Sequence, residues 1–148
     1  MFAATSYRLI ELSVAAAAVR RHFESVHSAN HLPNNYPAFV AGVADRPTKA
    51  MNRKVRKLFR DKKLSWFASH PSTQHRVEAA KKLNLPGIFR SDQPAQVLFS
   101  KFTAMSEGVT TLLYAMSFGQ FDPDSLQPTD QALENWASIM DVQAPGKS

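Results

Sequence analysis

The chain has 148 residues, no cysteine, five glycines and a formal net charge of +6. That length buries one core without cross-links. The missing cysteines exclude disulfides, thiolate zinc sites and a cysteine nucleophile. No apolar run approaches the roughly 18–20 residues that span a bilayer. Met1-Phe2-Ala3-Ala4-Thr5 lacks a charged n-region leading into an apolar core, so no signal peptide is expected. The chain reads as soluble or peripheral.

In chain order, residues Tyr7 to His31 predict a first long helix: Leu9, Ile10, Leu12, Val14, Val19, Phe23 and Val26 recur at helical spacing around an alanine run. Leu32-Pro33-Asn34-Asn35 is a turn, and Pro37 suits the first position of a short helix through Phe39 and Val40. Pro47 suits the first turn of a basic helix over 49–63. There Met51, Val55, Leu58 and Phe59 form an inward stripe and the charges project from the other face. Trp66-Phe67 leads to His70-Pro71, with a helix expected from Pro71 to Leu83 and closed by Leu85-Pro86-Gly87. Ser91-Asp92 and Pro94 open a further helix carrying Val97, Leu98, Phe99 and Phe102, which resumes past Gly108 through Leu112, Leu113 and Tyr114. Phe121-Asp122-Pro123-Asp124 is a linker. Thr129 is expected to cap a last helix with Leu133, Trp136 and Ile139. Nothing shows strand alternation. The fold class is therefore all-α, an irregular bundle of about five to six helices, divided into 1–120 and an acidic linker and terminal helix over 121–148.

Charge is uneven. From Arg46 to Lys63 there are nine Lys or Arg against Asp61 alone, whereas every charge from Phe121 to Val142 is acidic. Arg53, Lys54, Arg56, Lys57 and Arg60 form a candidate anion-binding surface for nucleic acid or anionic lipid. The same asymmetry would also let one end of the fold dock on the other. No nucleic-acid-binding signature accompanies it, nor any glycine-rich phosphate loop or nucleophile elbow.

The chemistry-bearing run is Trp66-Phe67-Ala68-Ser69-His70-Pro71-Ser72-Thr73-Gln74-His75-Arg76. An imidazole and a guanidinium at the start of one helix can share a cleft, polarise a carbonyl and hold a carboxylate or oxyanion. The plainer alternative is that His70 caps the helix and Arg76 makes a structural ion pair.

This run, extended from Asp61 to Ala80, resembles the "T/S-H-P-x-x-x-x-R-I/V" segment of HtpX-like and CAAX-prenyl-protease-like zinc metallopeptidases. Leu85-Pro86-Gly87-Ile88-Phe89, Asp92-Gln93-Pro94-Ala95, Leu98 to Phe102, Val109-Thr110-Thr111 and Tyr114 are similar to the extension in large bacterial members. The resemblance implies the C-terminal part of a zinc-dependent metalloendopeptidase, an incomplete domain that walls a cleft for a peptide or protein substrate. His70 and Arg76 would line the active site. Zinc in the intact parent would be held by an N-terminal His-Glu-x-x-His helix and a later glutamate. No His-Glu pair occurs in this chain, so no metal ligand, no bound cofactor and no peptidase activity are expected of it alone. An orphaned half-domain should expose an apolar patch where its missing helices would pack. Such a parent is compatible with a membrane location.

Two substitutes for a metal site present themselves. His27 and His31 stand at the i, i+4 spacing of a zinc helix, with His22 nearby, but Ser28 occupies the place of the general base. A solvated helix end is the default for them. Glu11 begins Glu-Leu-Ser-Val-Ala, similar to the family's third-ligand segment Glu-x-x-Ala-Asp, with Ala15 where the aspartate should be. Its default is a surface glutamate.

Overall fold

The computed structural model describes residues 2–26, 31–60, 72–83, 85 and 93–142. They form six α-helices: α1 Phe2–Phe23, α2 Tyr36–Asp45, α3 Lys49–Arg60, α4 Thr73–Leu83, α5 Phe102–Phe118 and α6 Thr129–Val142. The all-α expectation holds. No helix is long and apolar enough to cross a membrane.

Local chemistry sets where each helix starts and stops. Asn35 Oδ1 accepts the Ala38 N–H at 3.1 Å and opens α2, so Pro37 is its second residue rather than its first. Thr48 Oγ1 accepts the Met51 N–H at 3.2 Å to cap α3, which leaves Pro47 outside the helix. Ser72 Oγ accepts the His75 N–H at 3.3 Å to cap α4. Each is the side-chain oxygen that a helix N-terminus needs for an otherwise unpaired donor.

The first helix ends at Phe23, eight residues before the expected boundary. There the Ser25 hydroxyl and N–H both donate to the His22 carbonyl, and the Val26 N–H turns back to Phe23 O at 3.1 Å. These bonds tighten the last turn and stop propagation. Around Pro94 the expected helix is only a 3₁₀ turn over Ala95–Leu98. From Phe102, α5 then runs uninterrupted through Gly108 and closes at Gly119, whose φ of 75° suits glycine. Thr129 is the first residue of α6 rather than its cap: its hydroxyl donates to Asn34 Oδ1 at 2.9 Å.

α1 packs against α2, α3 and α4, while α2 also packs against α5 and α6. The main core joins Val14, Ala15 and Val19 of α1 to Phe39 and Val43 of α2, Met51 and Val55 of α3, and Ala132 and Trp136 of α6. The terminal acidic helix is thus built into the same core as the first three helices. Close approach of α2 to α6 depends on Gly42, because a Cβ there would lie 2.6 Å from a methyl of Leu133.

A second, smaller cluster centres on Leu32 and Tyr114. Here the chain from 31 to 36 gathers distant segments by hydrogen bonds. Asn34 N–H donates to Gln127 O and Gln127 N–H to Leu32 O, both at 2.8 Å, making an isolated parallel bridge between Pro33 and Gln127. The Tyr114 hydroxyl donates to Pro33 O at 3.1 Å.

Candidate functional site

The described residues bring one predicted site residue, Arg76, to a groove. Capping by Ser72 fixes the start of α4, and one turn on, Arg76 lines a trough of about 420 Å³ between α1, α3 and α4. Leu9 and Ile10 of α1, Leu58 of α3 and Thr73 of α4 line it too. The lining mixes these apolar side chains with the hydroxyl residues Thr5, Ser6 and Ser13, and it is partly open: Leu9 is 62% and Leu58 42% exposed. Leu58 therefore leaves the inward stripe on which periodicity placed it, while Met51 and Val55 remain buried and Phe59 packs edge-on against Tyr7 at 5.3 Å. An arginine among apolar and hydroxyl side chains is a group that can bond a carboxylate or carbonyl oxygen.

His70 lies outside the described residues, as do Trp66, Phe67 and Pro71. The helix-capping role that the plainer alternative gave to His70 is filled by Ser72. Glu11 is not among the residues lining the trough. It is paired with Arg8 at 3.4 Å, and Arg8 also reaches Asp45 at 2.7 Å, tying α1 to the end of α2. Ala15, standing where the family segment has its aspartate, is fully buried in the core.

The two-histidine geometry is not formed on α1. His27 lies outside the described residues, and His31 sits past the end of the helix, in a left-handed turn at φ 68° with its N–H on Ser125 O at 3.1 Å. His22 instead meets the Trp136 ring edge-on at 5.4 Å. Among the described residues no three His, Asp or Glu side chains converge as a metal site would need.

Along α3 the cations are presented outward. Arg53, Lys54, Arg56, Lys57 and Arg60 are all exposed, and among the described residues none of them forms an ion pair. The acidic α6 packs on α2, so the expected docking of the acidic end on the basic one does not neutralise α3.

Two features had no sequence signal. One is a cavity of about 680 Å³ walled by Phe39, Trp136 and Leu32, with His22, His31 and Asn135 at its edge. The other is a pair of phenols, Tyr114 buried and Tyr36 half-buried. Burial raises the pKa of Tyr114 well above the usual tyrosine value, with nearby Tyr36 adding to it. Burial raises that of Tyr36 too, against the opposing charge of Arg20. No protein-family model, curated protein or solved structure matches this chain.

Proposed function

We propose that this chain is the C-terminal helical part of an HtpX-like zinc metalloendopeptidase, in which it walls the substrate cleft and supplies His70 and Arg76. The observation that carries this reading is the place of Arg76 on the α1–α3–α4 trough, beside apolar side chains left open. Leu9 and Leu58 in its lining are open apolar side chains that a complementary half-domain would cover. In that setting Arg76 would hold a backbone carbonyl or carboxylate of the peptide. Zinc and its water-activating glutamate would come from the N-terminal part.

The test is the intact mass of the endogenous protein, captured through its 121–148 tail. A product far heavier than 16.5 kDa, whose chelator-sensitive peptidase activity falls about a hundredfold in Arg76→Ala, supports the reading. A product at the chain mass refutes it, as does full activity in the variant.

A second reading rests on the exposed cations of α3: a helical module that binds nucleic acid or anionic lipid. Binding that is tight at low salt, steeply lost at high salt, and abolished by neutralising Arg53, Lys54, Arg56 and Lys57 would favour it.

A further inference from the structure

Beyond Phe23, where α1 stops, α6 faces the irregular 31–33 segment rather than a helix, and the cavity of about 680 Å³ opens between them. That volume lies within the roughly 300–1,000 Å³ of sites for small organic molecules. It is a concavity inside one chain with a floor already covered: Leu32 is 5%, Phe39 2% and Trp136 6% exposed. Four aromatic rings of its lining touch in a closed cycle. His22 meets Trp136 at 5.4 Å, Trp136 meets Phe39 at 5.9 Å, and Phe23 lies 6.2 Å from both Phe39 and His22. Each ring is held by two neighbours, so the wall is preformed.

The polar groups around this cavity are side chains, because the backbone there is used internally. His22 O accepts from Ser25, Pro33 O from the Tyr114 hydroxyl and Leu32 O from the Gln127 N–H. Asn135 Nδ2 donates to Gln127 Oε1 at 3.0 Å. That bond sets two amides side by side. It does not use the Gln127 amino group or the Asn135 carbonyl oxygen, which are a donor next to an acceptor. Among the described lining residues there is no Asp, Glu, Lys or Arg, so an ionised molecule would lose its hydration there without a permanent counter-charge.

We propose that this cavity binds an uncharged, planar aromatic molecule bearing one group that both donates and accepts a hydrogen bond, of which a primary carboxamide is the simplest. The ring lies among His22, Phe23, Phe39 and Trp136, and the head group bonds the Gln127–Asn135 pair. None of these residues lines the Arg76 trough, so the proposal is independent of the peptidase reading.

Benzamide is the probe, with benzoate and toluene as its charged and purely apolar counterparts. The chain has two tryptophans, so a Trp66→Phe background leaves the Trp136 indole N–H as a single NMR reporter in the cavity wall. Benzamide should shift it saturably with a Kd on the order of 0.1–1 mM, ordinary for a ligand of its size. Benzoate should bind at least about tenfold more weakly. Asn135→Leu, at an exposed position, should weaken benzamide about tenfold and leave toluene unchanged. Ile139→Trp, which fills the cavity from a half-buried position, should weaken both by about tenfold or more with circular dichroism unchanged. No saturable shift at millimolar benzamide overturns the proposal. So does benzoate binding as tightly as benzamide, which would assign the site to the imidazoles of His22 and His31, and so does full benzamide affinity in both variants.

Discussion

Thr110→Val isolates the polar bond that seats α5 on α2. Valine keeps the shape of a fully buried side chain and removes only the hydroxyl. Ser106 O loses a 2.7 Å donor, but within a helix it retains its backbone partner. The Tyr36 N–H loses its 2.9 Å acceptor. As the first donor of α2 it has no intrahelical substitute. An unsatisfied buried donor costs about 1–3 kcal/mol, and relief from burying the hydroxyl returns part of that. A net loss of about 1–2 kcal/mol follows, which lowers the urea midpoint by roughly 0.5–1 M if the slope is about 2 kcal/mol/M. Thr110→Ser keeps the oxygen and should hold the bond. Urea unfolding of the three proteins decides the matter. A valine variant within about 0.3 kcal/mol of the parent would refute the claim that this bond anchors the helix.

The remaining predictions concern other contacts. Above pH of about 10 the unfolded chain releases its phenol protons while buried Tyr114 keeps its own, so stability should be full below that pH and fall as pH rises beyond it. Tyr114→Phe should flatten that alkaline loss in a pH series of melts, and cost about 1 kcal/mol at neutral pH through the bond to Pro33. Trp136→Ala should cost about 3–5 kcal/mol by opening the main core; a loss below 1 kcal/mol would mean that α6 is not seated there. Gly42→Ala gains up to about 1 kcal/mol of helix propensity but collides with Leu133. It should therefore be more favourable in a Leu133→Ala background than in the parent, which a double-mutant cycle measures directly.

Helix content was legible because alanine runs, prolines and basic-apolar spacing act locally. The caps were half legible: Ser72, Thr48 and Asn35 are cap-forming residue types, but the neighbouring prolines carry an equally strong helix-start signal one or two residues away. Two features escaped because tertiary bonds decided them. His31 carries no mark of the Ser25 back-bond that ends α1 upstream of it. The polarity of α5 is more instructive. Periodicity ranks side chains by hydropathy and turns the apolar row inward, but here buried Thr110 and Tyr114 each satisfy a backbone group on the 33–36 segment, and that fixes the rotation. Arg76 was legible as a candidate through its spacing from His70. The trough it lines was not, since Leu9 and Leu58 meet only once α1 and α3 are packed.

The segment from His31 to Tyr36 also bears on the order in which the molecule assembles. Its bonds reach Thr110, Tyr114 and Thr129 across separations of 74, 81 and 95 residues, whereas α1, α2 and α3 follow one another closely in the chain. Closing so long a loop is entropically slow and comes before its contacts repay it. The first three helices should therefore form the early nucleus, with α5 and α6 joining late. Because loop closure grows only logarithmically, even doubling the length of the loop that these bonds close would cost the late step about 0.6 kcal/mol, less than one of the bonds it enables.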